Sequence, residues 1–415
     1  MKRRLYPAYK IHGVIFLSFI ILGFIIDGPL QIFKGLRTII FNSDILITDY
    51  VELAGIGPAL VNSGLLSLMI IILYLLLGIK PNGSTIMSFW LIAGFAFFGK
   101  NIFNVWPIIF GVYLYSRYQK EPFINFILIA ILGTTLAPTV SQLAFEEILP
   151  AGIAHITGIA IGVFIGFILP PLASSTVNVH HGYNLYNLGF SGGLLAMLLM
   201  SIYRLLGINF EKRFLWNTGN NLFFAIFLYS IFIFLLIYGY IMNGRSFNNV
   251  KKIFTHSGKL VTDFYLLYEK AAYINMGILG IISTTYVLLI GGDLNGPIIS
   301  GIFTIVGFGT FGKHLFNVLP IMIGASLTVF LHIWELSSPS MLLAILFSTA
   351  LAPIAGQYGW LIGILTGFLH VAVVMNIGSV HGGMNLYNNG FAAGFVALIL
   401  IPIIRAFKKG DKNEK

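Results

Sequence analysis

Apolar runs long enough to cross a lipid bilayer recur along the whole chain. We predict membrane-spanning helices over residues 13–26, 64–79, 122–140, 154–175, 188–206, 221–242, 274–291, 341–356, 359–379 and 391–404. In lipid the backbone must satisfy its own hydrogen bonds, so such runs fold as packed helices. Only 9% of the residues are charged, whereas a soluble domain carries about 25%. The sequence therefore predicts an all-α integral membrane protein whose main partner is the lipid bilayer.

A duplicated motif divides the chain into two related halves. The stretch Phe98-Gly-Lys-Asn-Ile-Phe-Asn-Val-Trp-Pro-Ile-Ile-Phe-Gly111 recurs as Phe311-Gly-Lys-His-Leu-Phe-Asn-Val-Leu-Pro-Ile-Met-Ile-Gly324. A second pair follows, His180-His-Gly-Tyr-Asn-Leu-Tyr-Asn-Leu-Gly189 and His381-Gly-Gly-Met-Asn-Leu-Tyr-Asn-Asn-Gly390. The same polar residues thus interrupt an apolar sequence twice, which is typical of a repeated membrane unit.

The distribution of charge predicts how the two halves face. We predict a first membrane repeat over 1–210 and a second, inverted repeat over 211–415, each with about five transmembrane helices. With this topology most of the 24 Lys and Arg residues fall in loops on the side that holds both termini. Because positively charged loops stay in the cytoplasm, we expect cytoplasmic termini and a location in the cell (inner) membrane. The same rule explains the net charge of +10, so we predict no nucleic-acid partner.

Each half also contains a segment that a polar break divides into two short apolar stretches. These segments cover 85–117 and 298–331, and neither stretch reaches the roughly 20 residues that a span needs. We predict a re-entrant, broken helical hairpin in each half, while a pair of short spans gives the same charge distribution. Broken segments at corresponding places of two halves are typical of a transport site at the repeat interface.

Lys100 and Lys313 occupy these two breaks. A lysine at membrane depth costs about 3 kcal/mol on insertion scales, and such residues usually mark a pathway or a site. No acidic residue lies in the interior of a predicted span, so the sequence shows no carboxylate partner for them. Either the two ammonium groups bind an anionic solute, or they satisfy carbonyl groups at a helix end or extend to the interface.

Two further groups of polar residues recur beside the lysines. Asn104 and Asn317, with Asn101 and His314, precede a proline, which favours an N-cap role or a half-helix N-terminus that faces a solute. The other group contains paired histidines, asparagines and tyrosines that either line a pore or join the halves: His180, Asn184, Tyr186, Asn187, His381, Asn385, Tyr387 and Asn388. We predict no metal site and no cofactor, because the histidines lack a local ligand cluster.

One of these motifs resembles a known family. Gly182-Tyr-Asn184 with Gly189 is similar to the Gly-Tyr-Asn…Gly element of urea transporters, and Gly383-Met-Asn385 with Gly390 is a second, less similar copy. The resemblance implies two inverted five-span halves around a central pore. As a whole the chain resembles an uncharacterised family of bacterial multi-pass inner-membrane proteins, which carry a domain of unknown function. That second resemblance implies a location and little about activity.

These observations favour a membrane channel or secondary transporter for a small polar or anionic solute. We expect its pathway at the interface of the two repeats, lined by Lys, Asn and His side chains, in a chain that can form a homo-oligomer. We predict no enzymatic activity. The alternatives are an integral-membrane enzyme acting on a lipid or isoprenoid-linked substrate, and a urea-like channel for a neutral solute. The lack of acids within the spans argues against carboxylate-based coupling to H⁺ or Na⁺.

Overall fold

The computed structural model describes residues 6–146, 148–211, 213–260 and 262–407. The two chain termini, for which we predict a cytoplasmic location, lie outside the described residues. The helices of the first half are α1 (Pro7–Ile40), α2 (Tyr50–Ala54), α3 (Ile56–Leu76), α4 (Gly83–Phe95), α5 (Val105–Tyr118), α6 (Ile127–Gly133), α7 (Ala137–Phe145), α8 (Ala151–Val179) and α9 (Asn187–Leu205). Those of the second half are α10 (Asn221–Met242), α11 (Asn248–Ile253), α12 (Phe264–Tyr268), α13 (Ala271–Leu289), α14 (Gly296–Phe308), α15 (Leu315–Ser326), α16 (Pro339–Ser348), α17 (Ala352–Tyr358), α18 (Trp360–Ile377) and α19 (Asn388–Phe407).

Within the described residues, 10 helical stretches are long and apolar enough to cross a membrane. Each of the predicted apolar runs overlaps one of them, which confirms an all-α protein with multiple membrane-length helices. Several of the stretches are not continuous α-helices: Pro7–Ile40 is kinked at Gly28, and Trp360–His381 ends in the 3₁₀ turn Gly378–His381. Ile127–Phe145 and Pro339–Tyr358 are interrupted by the 3₁₀ turns Thr134–Leu136 and Thr349–Leu351.

Helices α4 and α14 are short because their ends are specified by local sequence. The Oδ1 atom of Asn82 accepts a 2.8 Å hydrogen bond from the Thr85 amide and begins α4. The Oδ1 atom of Asn295 accepts from the Ile298 amide at 3.2 Å and begins α14. Each helix has 13 residues, so it is about 20 Å long, well short of the hydrocarbon core.

The two short helices pack against each other in opposite directions. A Cβ atom on Gly94, near the end of α4, would lie 2.9 Å from the Cα atom of Ser300, near the start of α14. A Cβ atom on Gly307, near the end of α14, would lie 2.9 Å from the Cβ atom of Trp90. The glycines therefore allow close backbone contact between equivalent helices of the two halves. Residues 96–104 and 309–314, which form the breaks, follow the two helices.

Long helices surround this centre and expose apolar side chains. Large exposed aliphatic and aromatic residues on α1 and α10 include Leu17, Ile25, Leu30, Phe33, Leu222 and Ile226. An apolar exterior of this kind is suited to lipid and not to water. Most polar residues of the two repeated motifs lie in the interior of the molecule instead, and His181 is exposed.

Candidate functional site

The lysines of the two breaks are buried, and each contacts a tyrosine of the other half. Lys100 and Lys313 have no exposed side-chain surface. The Nζ atom of Lys100 donates a 2.8 Å hydrogen bond to the Tyr387 hydroxyl. The Nζ atom of Lys313 donates to the Tyr186 hydroxyl at 2.5 Å and to the Thr349 hydroxyl at 2.7 Å. Equivalent residues of the two halves thus make reciprocal contacts.

Aromatic rings cover both ammonium groups. The Nζ atom of Lys100 lies 5.2 Å from the ring centre of Phe95 and 4.8 Å from that of Tyr387. The Nζ atom of Lys313 lies 4.5 Å from the ring centre of Tyr186 and 5.0 Å from that of Phe308. Among the described residues neither lysine forms an ion pair with a carboxylate. The electron-rich ring faces offset part of the missing counter-charge.

Two asparagines hold the breaks in shape, and the sequence reasoning missed both. The Nδ2 atom of Asn62 in α3 donates to the carbonyl groups of Ala96 and Lys100 at 2.7 and 2.9 Å. Asn275 in α13 donates to the carbonyl groups of Gly309 and Lys313 at 2.7 and 2.8 Å. These amides satisfy carbonyls that follow the last turns of α4 and α14. The sequence signal that could have identified them is an asparagine at matching positions of two otherwise apolar helices.

A buried carboxylate contacts the break of the first half. One oxygen of Asp44 accepts hydrogen bonds from the side-chain amides of Asn101 and Asn104 at 2.8 and 3.1 Å. The other accepts from the Tyr50 hydroxyl at 2.7 Å. Burial raises the pKa of Asp44, which lies on the connector between α1 and α2, to about 7. The sequence reasoning did not identify Asp44, because only the folded connector brings this residue into the interior, to the amides of Asn101 and Asn104.

The second half has no side chain in the place of Asp44. Gly258 occupies the matching position, and His314 and Asn317 contact backbone carbonyls there. The Nε2 atom of His314 lies 2.8 Å from the carbonyl oxygen of His256, and Asn317 donates to that of Ser257 at 3.3 Å. The two breaks therefore occupy equivalent places in the repeats, but a carboxyl group replaces backbone carbonyls as the hydrogen-bond acceptor beside the first break.

The polar residues before the prolines cap one of the two helices as the sequence suggested. His314 is the N-cap of α15 and forms a capping box with Asn317, whereas Asn104 lies at the N-cap of α5 without a capping hydrogen bond from its side chain. Asn104 precedes α5, but its Oδ1 atom accepts a 2.9 Å hydrogen bond from the Asn101 amide and not from the helix. Helix α15 begins at Leu315, so Asn317 lies inside its first turn and accepts from the His314 amide at 2.9 Å. Each of the two side chains accepts a hydrogen bond from a backbone amide three residues earlier. Backbone amides that are left free where a helix is interrupted need such an acceptor.

Two aspartates of the connectors join the halves at the starts of the short helices. Asp263 accepts a 2.8 Å hydrogen bond from the amide of Gly83, the first residue of α4. Asp49 accepts from the Asn217 amide at 3.0 Å and from the amide of Gly296, the first residue of α14. A carboxylate is favourable at the N-terminus of a helix. Burial nevertheless raises the pKa of Asp263 and that of Asp49, the latter to about 7.

The histidine and asparagine motifs form contacts within and between the halves. The Nε2 atoms of His180 and His381 lie 2.8 and 2.7 Å from the Oδ1 atoms of Asn187 and Asn388. Asn184 donates to the Gly390 carbonyl at 2.9 Å, and Asn385 donates to the Gly189 carbonyl at 3.0 Å. These reciprocal bonds are the interhelical contacts that the sequence offered as one of two roles. Over the described residues no group of three His, Cys, Asp or Glu side chains could hold a metal ion.

A cavity of about 350 Å³ lies between the halves, beside the lysine–tyrosine pairs. Its wall includes the four rings that cover the ammonium groups: Phe95, Tyr186, Phe308 and Tyr387. Most of the remaining wall is aliphatic or aromatic. Of the twelve residues proposed for the pathway, Asn187 alone lines this cavity. In the second half the cavity is lined by Asn389 and not by the proposed residue Asn388. Lys100 and Lys313 do not line the cavity, because the aromatic rings of the wall lie between it and the two ammonium groups.

The fold and this site define a multi-pass α-helical membrane protein in which two halves exchange equivalent buried polar contacts. The chain belongs to a family described as Protein of unknown function (DUF1576), whose model matches residues 29–205 and 242–406. This confirms the expected membership of an uncharacterised family. No curated protein and no solved structure matches the chain. The similarity to urea transporters thus rests on the motif alone.

Proposed function

We propose that this protein is a channel or secondary transporter for a small anionic or polar solute. The pathway runs between the two halves, beside the pairs Lys100–Tyr387 and Lys313–Tyr186. The observation that carries the proposal is the reciprocal arrangement of these pairs beside a cavity between the halves, with both tyrosines on its wall. A site built from equivalent residues of two repeats suits a pathway through the membrane.

The electrostatics of the pairs favours an anion. A buried charge without a counter-charge is unfavourable, and such a residue in a membrane protein usually serves a site. The rings and hydroxyls around Lys100 and Lys313 supply only partial negative charge. A solute that carries a negative charge into the cavity would supply the rest, so its binding there is favourable.

The proposed topology is a pair of inverted repeats, as expected from the charges of the loops. Its support is the antiparallel packing of α4 and α14, which are equivalent helices. A two-fold axis that relates antiparallel membrane helices lies in the plane of the membrane. The short segments 85–117 and 298–331 would then be broken, re-entrant hairpins whose breaks meet near the middle of the bilayer. Their exposed backbone is covered by protein, which lipid requires.

A flux screen in proteoliposomes tests the proposed function. Purified protein would be assayed with chloride, formate, acetate, phosphate, glycine and urea, and compared with empty liposomes. We expect faster entry of at least one anion, and a slower entry in Lys100→Met and in Lys313→Met. Methionine is the matched replacement because its unbranched side chain keeps most of the length of lysine without its charge.

Three results would contradict the proposal. Entry of every solute at the rate of empty liposomes would remove a transport function. Entry of urea alone, unchanged in both lysine variants, would favour a channel for a neutral solute. Turnover of a lipid without any flux would favour the integral-membrane enzyme.

A further inference from the structure

We propose that the cavity between the halves binds a small organic anion, with its apolar body in the cavity and its charged group at the Tyr387 hydroxyl beside Lys100. This inference rests on the proposed function and specifies its substrate class. It distinguishes an anion with an apolar body from an inorganic anion such as chloride.

The wall of the cavity selects for an apolar body. Side chains without polar groups form most of it, among them Met87, Leu91, Leu132, Val177, Leu188 and Phe347. Its volume of about 350 Å³ falls in the range of sites that hold small organic ligands, roughly 300–1,000 Å³. A chloride or formate ion would leave most of this apolar surface without contact. A ring or short alkyl chain would fill it.

The Tyr387 hydroxyl provides a hydrogen-bond donor at the wall. A tyrosine hydroxyl can accept one hydrogen bond and donate another. That of Tyr387 accepts from the Lys100 ammonium, so its own proton is directed elsewhere. No acceptor for this proton occurs in the described part of the chain. An oxygen of an anion can accept it, with the positive charge of Lys100 directly behind.

The corresponding group in the other half is better satisfied. Lys313 donates to two hydroxyls, those of Tyr186 and Thr349. Lys100 donates to the Tyr387 hydroxyl. Thr134 matches Thr349 in the repeat, and both threonines donate to a carbonyl three residues earlier, but within the described residues only Thr349 also accepts a hydrogen bond from the lysine of its half. An ammonium group has three donors, so Lys100 keeps more unused capacity. The charged group of the solute is therefore expected on the side of Lys100.

Binding of permanently charged probes to the protein in nanodiscs tests this inference. Benzenesulfonate combines an anion with a ring. Methanesulfonate lacks the ring, benzyl alcohol lacks the charge, and benzyltrimethylammonium reverses it. With empty nanodiscs as the blank, calorimetry should show that benzenesulfonate binds at least about tenfold more tightly than each of the others. Equal affinity for benzenesulfonate and methanesulfonate would overturn the role of the apolar wall.

Matched variants of the two halves test the assignment of the charged group. Tyr387→Phe and Lys100→Met should each weaken benzenesulfonate binding by about tenfold or more, the range of a hydrogen bond to a charged group. Tyr186→Phe and Lys313→Met, which also belong to the proposed pathway, should weaken it by a smaller factor of about threefold. The control is Tyr9→Phe, because the Tyr9 hydroxyl donates to the Ile79 carbonyl and does not line the cavity; this variant should leave the binding unchanged. Equal losses in both halves would overturn the assignment to Lys100.

A further variant fills part of the cavity and leaves the polar groups unchanged. Ala173 lies on the wall, and Ala173→Leu should weaken binding of benzenesulfonate and leave that of methanesulfonate unchanged. Unchanged binding of both probes would show that benzenesulfonate binds outside this cavity, and would overturn the proposal. Displacement of benzenesulfonate by short-chain phosphatidate at far lower concentration would favour a lipid as the occupant and overturn the proposal of a soluble anion.

The proposed transport function and the proposed substrate class can be refuted separately. Lysine-dependent flux of chloride or formate, with no preference for benzenesulfonate, would retain the transport function and refute the substrate class. Absence of both flux and binding for every anion would refute both.

Discussion

Replacing Asn62 by alanine should strongly destabilise the protein. Its Nδ2 atom donates to two buried carbonyl groups, those of Ala96 and Lys100, at 2.7 and 2.9 Å. The alanine variant would leave both acceptors without this donor in the interior. Each unsatisfied buried group costs about 1–3 kcal/mol, so the free energy of unfolding should fall by roughly 2–6 kcal/mol. Because these carbonyls fix the position of Lys100, anion flux should fall as well.

Equilibrium unfolding in mixed detergent micelles would measure this change. Ser67→Ala is the matched control in the same helix, since the Ser67 hydroxyl donates to the Ser63 carbonyl of its own turn. We expect that control to lose less than about 1 kcal/mol. Asn275→Ala, the equivalent change in the second half, should resemble Asn62→Ala. Similar stability of Asn62→Ala and Ser67→Ala would refute the role given to the paired asparagines.

Three other predictions concern charge, backbone and topology. Burial raises the pKa of Asp44 to about 7, so the folded state holds a proton that the unfolded state releases, and stability should fall as pH rises from about 4 to 7. Unfolding at several pH values should show a smaller slope in Asp44→Asn, and an unchanged slope would contradict this. Gly258 has a φ of +80° and faces a backbone carbonyl, so Gly258→Ala should cost about 2 kcal/mol or more in unfolding experiments. Gly13→Ala is the control, because a Cβ atom there meets nothing within 4 Å, and equal losses would contradict the argument. The sequence contains 0 cysteines, so single cysteines can be labelled selectively. Glu121→Cys and Glu335→Cys, in equivalent loops of the repeats that we propose are inverted, should react with an impermeant maleimide from opposite sides of the membrane. Labelling from one side would refute the inversion.

The helices and the breaks could be predicted from sequence because both follow from local patterns. Apolar runs of membrane length specify the long helices, whatever their neighbours. The repeated Gly-Lys sequence at Lys100 and Lys313 interrupts two such runs and marks the breaks. The 3₁₀ turns inside Ile127–Phe145 and Pro339–Tyr358 were not predicted, because their composition remains as apolar as that of a continuous helix.

The partners of the polar groups could not be predicted, because they come from distant parts of the chain. Lys100 and Tyr387 are separated by 287 positions, and no periodicity relates them. Asp44 lies on a polar connector, where a carboxylate is ordinarily exposed, and only the folded connector brings it to Asn101 and Asn104. The tyrosines were recognised as repeated residues, while their contact with the lysines depends on how the two halves pack against each other.

A cryo-EM map of the protein with para-iodobenzenesulfonate would test the central claim most directly. We predict density for the sulfonate at the Tyr387 hydroxyl, with Lys100 behind it and the iodine in the cavity between the halves. Density at the protein surface with an empty cavity, or lysine side chains that extend to the lipid headgroups, would contradict the account.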